Sequence, residues 1–201
     1  MTWSAAQAQQ SPSMSGNSTQ FNLGGTVPYS DVLWSLPLIG QFSTQNLPDS
    51  NQILLPTLHN FIYDAWFYVS DATATQSLEF DINMYMSGIG LTWGQQCRVA
   101  GGNEWDIWDN VNAAWVPTGV ACNPIMGGWN HVTIQAQRES DNSLLFESIE
   151  LNGATATINK TYLPFTVPES WYGITVNYQM DGNFSQSANT TYLDNLSFTY
   201  W

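Results

Sequence analysis

Two carboxylates, Glu79 and Asp81, stand two residues apart in the segment "SLEFDINMY" (77–85), in a chain of which only 9% of the residues are charged. Apolar and polar residues alternate through this segment, and Asn83 continues the polar series. This period of two predicts a half-buried strand with all three polar side chains on one face, ~6.5 to 7 Å between neighbours. Carboxylates accept hydrogen bonds from hydroxyls, and a pair of carboxyls can act as acid and base in glycoside hydrolysis. The row therefore predicts a floor that binds hydroxyls or a hydrolytic site.

Similar polar rows alternate with apolar residues in three further segments, at 88–99, 128–139 and 172–183. Most of the polar positions there are amides, which donate and accept hydrogen bonds and so suit sugar hydroxyls. We predict that these rows share one polar, concave sheet face with Glu79. The additional predicted binding residues are Gln96, Gln135, Gln137, Asn177 and Gln179. The alternative is an ordinary wet surface.

Tryptophan rings would supply the flat apolar surface on which sugar C–H faces stack, and the chain contains ten of them. In the segment "EWDIWD", Trp105 and Trp108 have opposite parity, so one is expected in the core and the other exposed. We predict that Trp108 or Trp93 stacks on the ligand. Packing in the core is the alternative for each.

Charge excludes several classes of partner. The chain has 16 acidic and three basic residues, a formal charge of -13. Nucleic acids and anionic membrane surfaces need clusters of Lys and Arg, so neither is an expected partner. No apolar run approaches the ~18 residues of a membrane span, and membrane insertion is not expected. Abundant aromatic residues favour a folded domain over disorder.

The two cysteines, Cys97 and Cys122, flank a segment that reads as a hairpin with its turn at residues 109–112. Such a hairpin brings them to similar heights on paired strands. A disulfide closing this loop would stabilise the fold by about 3 kcal/mol and would indicate an oxidising compartment, so we predict a secreted protein. Two buried free thiols are the alternative.

Short strand patterns recur every 8–12 residues between Gly, Asn, Asp and Pro turns, and no helical period is present. This spacing predicts an all-β, two-sheet antiparallel sandwich. Residues 1–15 are predicted to form a flexible arm, 16–201 a single domain, and 26–59 a long irregular connection. No cofactor is predicted. Asp181 and Asp194 could contribute to a structural calcium site, the alternative being carboxylates that cap their own turns.

The order of these segments resembles the concanavalin A-like lectin/glucanase superfamily. "WNHVTI" (129–134) followed by "IELNG" (149–153) is similar to laminin-G-like domains, and "EFDIN" (79–83) is similar to strands of legume lectins and laminarinases. Secreted bacterial members are the most similar. The resemblance implies a jelly-roll fold and a sheet that faces glycans. In the glucanases it implies Glu79 as nucleophile and Asp81 as its tuning partner, but Asn83 occupies the position of the general acid and has no proton to give.

Three hypotheses follow for the function. The first is a carbohydrate-binding, lectin-like domain that uses the amide-rich face to hold a polysaccharide or glycan. The second is an enzyme acting in the same cleft, a glycoside hydrolase or polysaccharide lyase with Glu79 and Asp81 as catalytic residues. Asp106, Asp109 or Asp181 could supply a partner carboxyl for hydrolysis, and His131 and Arg138 are the further candidates for a lyase. The third is a structural or adhesive domain that self-assembles by strand exchange.

Overall fold

The front sheet of the protein carries the segment that includes Glu79. The computed structural model describes residues 1–201, which form fifteen strands in two antiparallel sheets. The spatial order of the front sheet is β3-β14-β5-β7-β8-β9, and β6 pairs with β5 beyond the end of β7 and with β13. Its strands are β3 (Asp31–Gly40), β5 (Thr75–Met86), β6 (Ile89–Trp93), β7 (Gln95–Arg98), β8 (Glu104–Asp109), β9 (Ala114–Ala121), β13 (Phe165–Thr166) and β14 (Gly173–Gly182).

The back sheet packs against the front sheet and has the order β1-β2-β15-β4-β10-β11-β12. Two short 3-10 turns, Leu55–Thr57 and Ala72–Ala74, are the only helical pieces, and no helix has the length and hydropathy of a membrane span. The predicted two-sheet β-sandwich is confirmed. The strands of the back sheet are β1 (Thr2–Gln9), β2 (Ser18–Gly24), β4 (Asn60–Val69), β10 (Trp129–Arg138), β11 (Leu144–Leu151), β12 (Ala154–Tyr162) and β15 (Asn189–Tyr200).

The core lies between the sheets and is built by the alternation seen in the sequence. Phe80 of β5 is fully buried, with its ring centroid 5.2 Å from Phe67 and 6.0 Å from Tyr63, both of β4. Truncating such a ring to alanine typically costs about 3–5 kcal/mol. Because alternate residues of β5 are held in this core, Glu79 and Asp81 are fixed on the outer face of the front sheet.

Two segments expected to be irregular form strands instead. Residues 31–40 pair with β14 as strand β3, so the prediction of an irregular connection across 26–59 is wrong at that point. Val32, Trp34 and Leu36 pack against the core, which explains why this stretch is extended. A loose arm is predicted for residues 1–15, but Thr2–Gln9 forms β1 on the free edge of β2.

The predicted disulfide between Cys97 and Cys122 is present, with a Cα–Cα distance of 5.6 Å. The hairpin turn lies between β8 and β9, as predicted. The cysteines are not on directly paired strands, however, because β8 lies between Cys97 on β7 and the end of β9. The bridge therefore fixes three strands together at one side of the front sheet.

Candidate functional site

A continuous row of polar side chains crosses the outer face of the front sheet. Gln96 of β7, Glu79 of β5 and Gln179 of β14 occupy directly opposing positions on adjacent strands. Asp106 of β8 extends the row beyond Gln96, whose amide donates a 2.8 Å hydrogen bond to it. The alternation in four separate strands thus converges on one line of hydrogen-bonding groups.

Three acidic side chains lie close together around the centre of this row. Glu79 and Asp81 are only 7% and 5% exposed, and Asp181 of β14 lies within hydrogen-bonding reach of Glu79. Asp181 accepts hydrogen bonds from Ser77 Oγ at 2.6 Å and from Gln179 Nε2 at 2.9 Å. The cluster is therefore ordered by side chains of the same two strands.

Burial raises the pKa of Glu79, and the neighbouring charges of Asp81 and Asp181 raise it further. Burial also raises the pKa of Asp81 and of Asp181, although a hydrogen bond from the Gln95 backbone N–H opposes the shift at Asp81. A carboxyl that keeps its proton near neutral pH both donates and accepts hydrogen bonds. The cluster can therefore bind hydroxyl groups both as a hydrogen-bond donor and as an acceptor.

Two tryptophan rings form a wall beside the carboxyl cluster. Trp108 of β8 and Trp115 of β9 are directly paired, and their ring centroids are 5.1 Å apart at 67°. Gly94 makes room for the wall, because a Cβ there would lie 2.9 Å from Trp108 Cβ and 3.5 Å from Asp81 Oδ1. Any larger residue at Gly94 would fill the space between ring and carboxylate.

An open groove lies between the wall and the polar row. One part is a cavity of about 550 Å³ bordered by Asp31 and Asp181, and the other is a cavity of about 210 Å³ between Asp81 and Trp108. Both parts share Glu79, Trp115 and Gln179 in their linings. No Arg, Lys or His side chain lines the groove.

The nearest cation, Arg98 of β7, is already engaged. Its guanidinium binds Asp106 at 2.7 Å and Glu104 at 2.9 Å, and these partners raise the pKa of Arg98. Arg98 Nη1 also donates to the Gly101 carbonyl. Together with the disulfide, these contacts fix β7 and β8 under the tryptophan wall.

The structure separates two predicted binding residues from the groove. Gln135 and Gln137 lie on β10, in the back sheet, so the prediction of a single amide-rich face is wrong for them. Alternation shows which residues of a strand point away from the core, but it does not show to which sheet the strand belongs. No local signal could have placed β10 correctly.

Trp93 is also misplaced by the prediction, since it is fully buried in the core with its ring centroid 5.2 Å from Phe61. It pairs with Ile82, another core residue. Parity could have shown this, because Trp93 is three positions from Gln96 and therefore points to the opposite face. The prediction for the hairpin is confirmed: Trp105 is in the core and Trp108 is half-exposed.

Asn83 and Asn177 lie on the same outer face as Glu79, but neither lines the groove. Both are nearly fully buried, and the side-chain oxygen of each has no hydrogen-bond partner. Tyr29, Asp31 and Trp115 are among the groove residues that sequence reasoning missed. The alternation of Val32, Trp34 and Leu36 was the signal for the strand that begins at Asp31, but Pro37 obscured it.

The remaining candidates lie elsewhere. His131 is on the outer face of the back sheet, and Arg138 is buried at the end of β10, where it donates to the carbonyls of Pro56 and Leu58. Asp181 and Asp194 lie on different sheets, and no three His, Cys, Asp or Glu side chains are grouped as metal ligands. These positions give no support to a lyase site built from His131 and Arg138.

A further cavity of about 370 Å³ lies near β2 and β3, lined mainly by apolar residues such as Phe21, Trp34 and Val176. It includes neither Glu79 nor Gln179. Its only acidic residue, Asp194, already accepts hydrogen bonds from Ser13 Oγ and the Met14 backbone, so the cavity has no carboxyl cluster like that of the groove. The groove on the front sheet is therefore the candidate functional site.

No protein-family model matches the sequence, and no curated protein matches it. Among solved structures, the endo-β-1,4-glucuronan lyase from the fungus Trichoderma reesei is similar, with a TM-score of 0.60 and 10% identity over 98% of this chain and 87% of that one. The cellulose-induced protein Cip1 is also similar, with a TM-score of 0.56 and 13% identity over 99% of this chain and 86% of that one. Lectin I from Ulex europaeus, in complex with the methyl glycoside of α-L-fucose, has a TM-score of 0.51 and 14% identity over 100% of this chain and 92% of that one. At these identities the similarity shows a shared fold, and the concanavalin A-like jelly-roll sandwich is confirmed.

Proposed function

We propose that the protein is a carbohydrate-binding domain that holds a neutral glycan in the groove of the front sheet. One observation carries this proposal: the row of Gln96, Glu79 and Gln179 runs directly beside the indole wall of Trp108 and Trp115. Sugars present hydroxyls at their edges and C–H groups on their faces. The groove offers a partner for each.

The roles of the residues follow from their chemistry. The amides of Gln96 and Gln179 donate to and accept from hydroxyls, and the Glu79 carboxyl does the same while it holds its proton. Trp115 borders both parts of the groove and stacks on the face of a sugar ring. Such buried aromatic anchors typically dominate binding energy.

The charge of the groove favours a neutral ligand over a uronate. Glu79, Asp81, Asp181 and Asp31 make it acidic, and its lining contains no basic side chain. A uronate carboxylate would find no cation in the groove to pair with, whether or not these carboxyls hold their protons, and elimination beside it would need a group that neutralises that carboxylate. The glucuronan and alginate lyases among the similar structures are named for polyuronate substrates, so we infer a different ligand here.

Glycoside hydrolysis is the second candidate, and the raised pKa of Glu79 favours it because a general acid must keep its proton. The positions of the other carboxyls favour binding. Asp81 and Asp181 share the groove floor with Glu79, whereas glycosidases place two carboxyls on either side of the scissile bond. Hydrolysis of a neutral glycan that Glu79→Gln abolishes would establish the enzyme.

The binding proposal is tested by retention on a panel of neutral polymers, namely xylan, mannan and mixed-linkage β-glucan, with alginate and polygalacturonate as anionic polymers. We expect retention on at least one neutral polymer and none on the anionic ones. Gln179→Ala should weaken binding by roughly five- to tenfold, the equivalent of one hydrogen bond. Gln45→Ala, at an exposed amide on a loop, is the matched control and should bind like the wild type. Retention on polyuronates alone, or on no polymer, would refute the proposal.

The disulfide supports the further proposal that the protein is secreted, because such bonds persist in oxidising compartments. Expression with and without reducing conditions, followed by thiol labelling of Cys97 and Cys122, tests it. We expect no labelling of protein recovered from its native compartment. Full labelling would contradict a secreted location.

A further inference from the structure

The outer face of the back sheet carries an array of aromatic side chains that the groove does not use. Trp129 of β10, Tyr68 of β4 and Tyr192 of β15 occupy directly opposing positions on three adjacent strands. The ring centroid of Tyr68 lies 5.7 Å from that of Trp129 and 5.9 Å from that of Tyr192. All three side chains are half-exposed, so the row is open to solvent.

A second row lies beside the first. His131 of β10 pairs with Trp66 of β4, and their rings are stacked with centroids 4.7 Å apart at 13°. Asp64 holds the imidazole through His131 Nε2 at 2.9 Å. We name the five residues of the two rows, Trp66, Tyr68, Trp129, His131 and Tyr192, the aromatic platform.

Hydrogen-bonding groups surround the platform. Gln20 Nε2 donates to Tyr192 Oη at 2.9 Å, and Thr133 Oγ1 donates to Asp64 at 2.6 Å. Gln135, assigned to the groove on sequence alone, is an exposed amide on the same face. Asp194 accepts hydrogen bonds from the backbone of Met14, so the loop after β1 borders this face.

The charges around the platform limit its partners. The carboxylates of Asp64 and Asp194 are already hydrogen-bonded, and no Lys or Arg belongs to the two rows. Lys160 lies on β12, two strands away from β10. Nucleic acids and anionic membranes require basic clusters and are therefore poor ligands. A neutral ligand with flat apolar faces and hydroxyl edges fits both rows.

The dimensions of the platform favour an extended chain over a single sugar. Three adjacent strands place Trp129 and Tyr192 two strand spacings apart, about 10 Å. This span accommodates two consecutive pyranose rings of an extended polysaccharide. The face is also an open sheet surface, which suits a chain presented by an insoluble polymer.

We propose that the aromatic platform is a second carbohydrate-binding surface, which docks the protein on the surface of an insoluble neutral polysaccharide. The groove on the opposite sheet would remain free to hold a soluble chain. The two surfaces are independent in the structure, so this inference does not rest on the function proposed for the groove.

The test measures adsorption isotherms of the full chain on microcrystalline cellulose and on crystalline chitin. The variant Trp129→Thr/Tyr192→Thr removes two rings and introduces threonine, whose β-branched side chain suits a strand. We expect wild-type adsorption on at least one polymer and an affinity loss of about tenfold or more in the double variant. Phe42→Ser, at an exposed aromatic residue on a loop, is the control and should adsorb like the wild type. If the double variant does not fold by circular dichroism, Tyr192→Thr alone should show a smaller loss.

Each outcome decides the proposal. Equal adsorption of wild type and folded variant, or no wild-type adsorption on either polymer, would overturn it. A wild-type dimer in sedimentation experiments that becomes a monomer in the variant would identify the platform as a contact between copies and would also overturn it. Adsorption that depends on the platform, combined with no binding of soluble neutral glycans, would support this inference and refute the groove.

Discussion

The outer faces of the two sheets differ in how they carry their acidic residues. On the front sheet, Glu79 and Asp81 are buried together with no cation beside them, and burial raises the pKa of both. On the back sheet, Asp64 is half-exposed and paired with His131. Buried like charges cost stability, and such costs are concentrated at functional sites. This difference supports the proposal that the groove is the binding site, whereas the exposed pair of Asp64 and His131 carries no comparable cost in stability.

The largest expected effect comes from the disulfide, which braces only the front sheet. The variant Cys97→Ala/Cys122→Ala opens a loop with a sequence separation of 25 and should lower the free energy of unfolding by about 3 kcal/mol. Amides that exchange by global unfolding should lose the same protection in both sheets, whereas exchange by local opening should become faster only in β7, β8 and β9. Equal acceleration of local opening in β4 and β10 would erase the distinction between the two faces.

The next effect concerns the tryptophan wall. Trp115→Ala should weaken binding of a soluble neutral glycan by about tenfold or more, about 1.4 kcal/mol, because the ring borders both parts of the groove. Adsorption through the aromatic platform should be unchanged. Trp201→Ala, at an exposed tryptophan at the chain terminus, is the control. An unaltered dissociation constant for Trp115→Ala in calorimetry would remove the wall from the site.

A smaller effect should reveal the cost of the buried carboxyls. The folded pKa of Glu79 lies above its ordinary value of 4.5, so its contribution to stability is complete below that pH and is lost as the pH rises. Glu79→Gln removes the titration, and we expect its free energy of unfolding at pH 8 to exceed that of the wild type by about 1 kcal/mol, seen as a higher melting temperature. At pH 4 the difference should be close to zero.

Asp49 should show the opposite dependence of stability on pH in the same melting experiment, because its pKa is lowered rather than raised. Burial acts against the shift, but hydrogen bonds from the backbone of Leu55 and Leu54 and from Tyr172 lower the pKa of Asp49 overall. Its stabilisation is present above the ordinary value of 3.8 and is lost as the pH falls. Asp49→Asn should therefore destabilise the protein at pH 7 and have little effect near pH 3. If melting temperatures of both variants shifted in the same direction at pH 8, the assignment of the Glu79 pKa would be wrong.

The smallest effect is expected on the back sheet. The pair of Asp64 and His131 is about a quarter exposed on each side, at 30% and 27%, and exposed pairs contribute little. Asp64→Asn should change the free energy of unfolding by less than about 1 kcal/mol in urea titrations. If Asp64→Asn lowered the free energy of unfolding by several kcal/mol, the charged pair on the back sheet would be as important to stability as the buried carboxyls of the groove.

The sequence contained the local part of this organisation. Alternation around Glu79, Gln96 and Gln179 correctly separated core from outer face, because side-chain direction depends only on position within a strand. The cysteine pair and the hairpin turn were readable for the same reason. Sequence reasoning failed for Gln135 and Gln137, because the order of strands in a sheet depends on pairing between distant segments.

Other parts of the site were hidden by local composition. Asp31 lies at the start of a strand that Pro37 made irregular in appearance, and its place beside Asp181 arises only when β3 pairs with β14. Trp115 could not be ranked above the other tryptophans until its partner Trp108 and the gap at Gly94 were seen together. The burial of the groove carboxyls and their protonation state distinguish the groove from an ordinary polar surface. Both depend on the packing of distant segments, which the sequence pattern does not show.

A crystal structure of the protein with a neutral oligosaccharide taken from the retained polymer tests the central claim most directly. We expect a sugar ring stacked on Trp115, with hydroxyls bonded to Gln179 and to Glu79. Sugar found only in the apolar cavity beside Trp34, with the groove filled by solvent alone, would contradict the account.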